Sequence, residues 1–320
     1  MVYVGMDVHQ ASTAFCLFDP GAEKARRYRT LTRPTTAESF QEVLGVLGKR
    51  CRVAFEVGTQ AQWVARIVRR LAAEMQVANP SRIPWLFRDG RKNDRLDARK
   101  LATLLYLNQL PTVHLPPAEV SAWRALISHR RTLVKRRTMI KNQVRTILRS
   151  FAFRCPYWSC WMGRGWAWLN SLIFDEARNL MISTLLEELD LVGTRICKVE
   201  EHLDVIASNH PEVALLHTIP GIGPRTAEAI VAFTDRVDRF PDRKHFASYF
   251  GMTPREDSSG GVLRRGGISK RGPAWSAGFW WRQRIRGFGD ARRCVYSSIV
   301  LCEVSRDVGS VPSSPQGVSC

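Results

Sequence analysis

The chain opens on a strict alternation. In VYVGMDV, residues 2–8, Val2, Val4 and Met6 point to one side and Asp7 to the other, the period of a half-buried strand. TAFCLFD, residues 13–19, resumes the apolar pattern after a polar turn, so the two segments predict a hairpin. A helical period follows over about residues 36–49, then a short apolar strand in RVAFEV at 52–57. A helix over about 60–75 and a strand near 76–79 complete the series. Strands alternating with helices up to about residue 112 predict an α/β layer.

Beyond residue 117 the period changes. Leu126, Leu133, Ile140 and Ile147 recur every seven positions, and Ile127, Val134, Val144 and Leu148 widen the stripe, which predicts one long helix to about residue 151 in a coiled coil or helical hairpin. LLEELDLV and ICKVEEHLDVI, within 176–208, have the period of its partner. Between them lies FAFRCPYWSCWMGRGWAWL, read as a core or interface cluster in preference to a base-stacking surface. In HTIPGIGPRTAEAIVAF, residues 217–233, Gly221 and Gly223 form a tight turn between two apolar helical segments, the sequence form of a helix-hairpin-helix. The expected organisation is α/β plus α: 1–112 α/β, 113–210 helical, 211–273 mainly helical, and 274–320 a tail of different character.

Charge narrows the function. Of the 320 residues, 48 are Lys or Arg and 29 are Asp or Glu, for a formal net charge of +19. Such a field suits a polyanion, and nucleic acid is the expected partner. No acid occurs from residue 120 to 174 while eleven Lys and Arg do. From this run Arg130, Arg131, Lys135, Arg136, Arg137 and Lys141 are candidate phosphate contacts. Eight scattered cysteines form neither a CxxC pair nor a His-Cys cluster, which argues for reduced thiols and a cytoplasmic protein. No window reaches the roughly 18 apolar residues that a membrane span needs, so no membrane role is expected.

Against this basic background, KNDRLDARKLA sets Asp94 and Asp97 three residues apart, on one helix face. Helix capping is one reading of the pair. Asp7 on the first strand and Glu56 at the end of RVAFE supply two further acids, and several carboxylates converging at strand ends make a hard-cation site for Mg²⁺ or Mn²⁺. Such a site suggests phosphoryl transfer on nucleic acid. A second constellation lies in FASYFGMTPREDSSGGVLRRGGISKRG, residues 246–272, where Arg264, Arg265, Lys270 and Arg271 stand among glycines. It reads as a phosphate cradle containing a candidate serine nucleophile, or as a plain linker. Gly221, Gly223 and Arg225 are candidate DNA contacts of the helix-hairpin-helix.

A hairpin with Asp, a strand with Glu and a helix with paired Asp, in that order, resemble ribonuclease-H-like nucleases of the RuvC type. GMDVHQ, FEVGTQ and KNDRLDARKLA resemble, more specifically, the DEDD transposase domain of the insertion-sequence one-ten family. On that resemblance Asp7, Glu56, Asp94 and Asp97 are the four metal-binding acids, and Asp89 is a turn residue outside the motif. GMTPR, SSGG and ISKRG resemble the carboxy-terminal transposase domain of the same family, whose serine attacks DNA to give a phosphoserine link. The position falls on Ser259, with Ser258 as its rival. The resemblance covers about residues 1–273. It implies a transposase that cuts and rejoins donor and target DNA, a non-coding bridge RNA that pairs with both, and a homo-oligomer, dimer or tetramer, in which the metal site of one subunit acts beside the serine of another. Family members continue with amphipathic helices where this chain runs AWSAGFWWRQRIRGFGD, so 274–320 reads as a diverged or frame-shifted tail. A hydrolytic RuvC-like nuclease and an inactive nucleic-acid-binding remnant are the alternatives.

Overall fold

A computed structural model describes residues 1–79, 93–256, 264–269 and 272–273, with only the backbone for Arg255, Glu256, Arg265 and Ile268. The chain divides after Ala118 into two units.

In the first unit, β1 (Val2–Val8) pairs antiparallel with β2 (Ser12–Phe18), as the alternation predicts. β3 (Tyr28–Pro34), α1 (Ala37–Gly45), β4 (Cys51–Glu56), α2 (Ala61–Leu71), β5 (Glu74–Ala78) and α3 (Asp94–Tyr106) follow. The five strands form one mixed sheet in the order β3-β2-β1-β4-β5, with β4 parallel to β1 and β5 parallel to β4. The amphipathic stripes of α1 and α2 explain its first covered face: Val4, Met6, Phe15, Val53 and Phe55 pack with Phe40, Leu44, Val64 and Val68.

The opening alternation predicts one buried face, yet β1 is covered on both. Ala98, Leu101, Ala102 and Leu105 of α3 pack against Ala14, Cys16, Phe18 and Ala54 on the opposite side of the sheet. Gly5 makes this possible, since a Cβ there would lie 2.0 Å from the Ala98 carbonyl oxygen. β3 is an exposed edge without an apolar alternation, and it is tied in by Tyr28, whose ring stacks on Phe18 at 4.6 Å.

The second unit holds two 33-residue helices, α4 (Ala118–Ser150) and α6 (Glu176–Ser208), separated by the short α5 (Gly163–Ser171). Leu133, Ile140, Val144 and Leu148 of α4 share a cluster with Ile182, Leu186, Leu189, Val192 and Ile196 of α6. The aromatic patch divides: Trp161, Trp166 and Trp168 pack against this cluster, while Trp158 is fully exposed. Toward the other ends of the long helices, Trp123, Ile127 and Leu203 join a second cluster with α7 (Pro211–His217), α8 (Pro224–Thr234) and α9 (Arg243–Tyr249). A two-stranded antiparallel ribbon follows, β6 (Pro254–Glu256) with β7 (Arg265–Ile268). Among the described residues no helix is long and apolar enough to cross a membrane.

Candidate metal centre

Pleating decides which side chains meet α3. On β1, Asp7 has the parity of Tyr3 and Gly5, the residues facing α3; on β4, Glu56 has the parity of Ala54, which packs against that helix. Because Met6 is the register partner of Phe55, the acids that follow them lie at neighbouring ends of parallel strands. α3 begins beside them. Its cap is Asn93, whose Oδ1 accepts from the Arg95 N–H at 3.1 Å. Asp94 and Asp97 both fall in the first turn, where the helix dipole favours negative charge.

His9 joins this group. Its Nε2 lies 3.3 Å from Asp7 Oδ2 and 3.5 Å from Asp94 Oδ1. One donor atom from each of Asp7, His9 and Asp94 lies within 4.8 Å of the other two. Glu56 and Asp97 are outside this triplet. Glu56 lines an adjoining cavity of about 500 Å³ together with His9, Gln10, Thr59 and Gln60. Asp97 has Lys100 Nζ at 3.5 Å, and that lysine is buried.

Burial raises the Asp7 carboxyl above the usual aspartate range; Asp94 and Asp97 push it further up, while His9 opposes them. Carboxylates gathered this way destabilise one another unless a cation compensates. The donor set, carboxylate oxygens with one imidazole nitrogen, fits a divalent metal ion.

In the second unit several of the predicted basic contacts are already engaged. Arg130 donates to Glu200 at 2.7 Å and Arg136 to Glu188 at 2.6 Å, so α6 supplies acids that the sequence of α4 lacks beyond Glu119. The ammonium of Lys141 lies 5.0 Å from the centre of the Trp161 ring. Among the described residues no ion pair engages Arg131, Lys135 or Arg137. The turn between α7 and α8 has Gly221 at φ +85°, a backbone that favours glycine, and Gly223 caps α8. Arg225 turns inward: it pairs with Asp204, lies 3.1 Å from Glu228 and donates to the Glu200 carbonyl. Arg264 is exposed, and Arg265 starts β7. Ser258, Ser259, Lys270, Arg271, Asp89 and residues 274–320 lie outside the described residues.

Sequence reasoning missed His9 and Lys100. Each had a local signal: His9 stands two residues after Asp7 in GMDVHQ, and Lys100 three after Asp97.

A mixed sheet with acids at the ends of two parallel strands and at the start of the covering helix is consistent with a ribonuclease-H-like DEDD domain, a class that works with divalent metal. Comparison with known proteins leads to the same class. The IS110-type DEDD model, described as "Transposase", matches residues 4–153, and the "Transposase IS116/IS110/IS902 family" model matches residues 213–281. A "Probable family 20 transposase" of Pseudomonas aeruginosa is 28% identical over 256 residues, covering 77% of this chain and 72% of that protein. The "Transposase for insertion sequence element IS1111A" of Coxiella burnetii is 26% identical, covering 75% of this chain and 66% of its own. The transposase for element IS1328 of Yersinia enterocolitica is 28% identical, with 69% and 66% covered. The chain thus spans about two thirds of the length of these last two relatives. It carries transposase domains of the IS110 family, the mark of a transposase, an enzyme that cuts DNA.

Proposed function

We propose that the chain cuts and rejoins DNA through a phosphoserine intermediate, with Asp7, Glu56, Asp94 and Asp97 holding Mg²⁺ or Mn²⁺. The observation that carries this reading is the meeting of Asp7 and Asp94, 87 positions apart in sequence, around one polar point at a strand end. A divalent ion bound there supplies charge stabilisation for a phosphodiester in transfer. The acids bind and orient, and Asn93 leaves Asp94 free of the capping role. The Ser259 hydroxyl attacks a DNA phosphorus and gives up its proton; the displaced sugar oxygen takes up a proton and leaves as a hydroxyl. A strand hydroxyl then attacks the phosphoserine, forming the new phosphodiester and returning the serine.

Substrate is held by charge and backbone. Arg131, Lys135 and Arg137 of α4 suit phosphate contact, and so do Arg264, Arg265, Lys270 and Arg271, which follow the serine in sequence. Gly221 and Gly223 set the turn that starts α8, a helix start suited to a phosphate. A non-coding RNA pairing with donor and target DNA selects the sites, and a homo-oligomer brings the acids of one subunit to the serine of another; the support for both is the resemblance of the motifs to that family.

The test is a denaturing gel of the full chain with labelled donor DNA, its flank-encoded RNA and Mg²⁺ or Mn²⁺. A covalent protein–DNA band is expected, lost in both Ser259→Ala and Asp7→Asn. Cleavage without a band would establish hydrolysis instead, and binding without cleavage an inactive remnant.

A further inference from the structure

We infer that His9 is a further ligand of this metal centre, and that its imidazole tilts the site from Mg²⁺ toward transition ions such as Mn²⁺. The inference rests on the reading of Asp7 and Asp94 as metal ligands. A histidine in a hairpin turn is ordinarily a solvated residue, and three observations set His9 apart.

Its Nε2 approaches carboxylates from two separate elements at once, Asp7 of β1 at 3.3 Å and Asp94 of α3 at 3.5 Å. Neighbouring donors around a six-coordinate ion with bonds of about 2.1 Å are spaced about 3 Å apart, close to these separations. The backbone of His9 is also held from both sides. Its N–H donates to the Ser12 carbonyl at 3.0 Å, and its carbonyl accepts from Thr35 Oγ1 at 2.8 Å. Thr35 Oγ1 is in turn 2.8 Å from the buried Thr13 Oγ1. The turn is therefore braced against β2 and the end of β3, as a ligand-bearing turn requires. Finally, the side chain lines the same cavity as Glu56, leaving the ring open to an arriving ion.

The chemistry sets the preference. Mg²⁺ takes oxygen donors and sheds water reluctantly, whereas first-row transition ions accept imidazole. One nitrogen among carboxylates thus penalises Mg²⁺ more than Mn²⁺.

Pulsed electron paramagnetic resonance of Mn²⁺ bound to the full chain tests this directly, because a coordinated imidazole imprints ¹⁴N modulation on the Mn²⁺ echo. Wild type should show the modulation and His9→Ala should lose it, with Mn²⁺ affinity falling about tenfold and Mg²⁺ affinity changing less. His9→Gln, which restores bulk without the imidazole, should behave as His9→Ala. Mn²⁺ binding that Asp7→Asn abolishes but that carries no ¹⁴N modulation, or modulation that survives His9→Ala, would overturn the role of His9 alone. Wild type that binds no Mn²⁺, or binds it equally after Asp7→Asn, would overturn the metal centre and His9 with it.

Discussion

Gly5 is the position where one atom most affects the first unit. A methyl group at its Cα would meet the Ala98 carbonyl oxygen at 2.0 Å and the Ala102 nitrogen at 2.5 Å, both helix backbone that cannot rotate away. Gly5→Ala should therefore destabilise the protein by about 2 kcal/mol or more, read from urea unfolding, and weaken metal binding by moving α3 off β1. Glu228 is the corresponding residue of the second unit. It is buried, and burial lifts its pKa to about 7 against the pull of Arg225. Since its carboxyl is harder to ionise folded than unfolded, the associated stability is present below pH 4.5 and lost as pH rises through 7. Glu228→Gln should flatten the fall in melting temperature between pH 5 and 8, by an amount equivalent to at most about 3 kcal/mol. At this scale the meeting of Asp7 and Asp94 was legible in the sequence because their motifs stand in order, while Glu56 and Asp97 stay outside that group. The approach of His9 to that pair was not, because its place two residues after Asp7 says nothing of its distance to Asp94 until α3 is folded over the strand.

Among the elements, α4 shows where a charge pattern misleads. Its run without acids reads as an uninterrupted phosphate face, yet Glu200 and Glu188 of α6 cancel Arg130 and Arg136. One-dimensional spacing cannot see a counter-charge on another helix. The two groups of cations should separate experimentally. Substituting Arg131, Lys135 and Arg137 by Ala should make DNA binding less salt-dependent, by about 0.9 in log–log slope for each phosphate no longer neutralised. A double-mutant cycle on Arg136 and Glu188 should instead return a stability coupling of roughly 0.5 kcal/mol, as partly exposed pairs do. The long helices were legible from their seven-residue repeat, and the hairpin from its alternation. β3 was not, because an exposed edge such as YRTLTRP needs no apolar face, and α5 was hidden in aromatics that read equally well as a loop.

For the molecule as a whole, the proposed function gives the excess of 19 positive charges and the cluster of acids one polyanion to serve: the positive charge would attract DNA, and the acids would bring a cation to it. A ligand that binds only the folded form adds about 2.7 kcal/mol at one hundred times its dissociation constant. Saturating Mn²⁺ should accordingly raise the melting temperature of wild type and leave Asp7→Asn unmoved, a measurement that needs no DNA. The α/β and helical layers could be anticipated from sequence, but the division after Ala118 depends on contacts between distant segments. One consequence follows from how the acids are distributed, at position 7, at 56 and at the start of a helix at 94. On the proposed reading no one of these stretches supplies all of the metal's ligands, so a polypeptide still emerging from the ribosome would carry the residues without the chemistry, and DNA would be safe from it until the sheet has closed beneath α3.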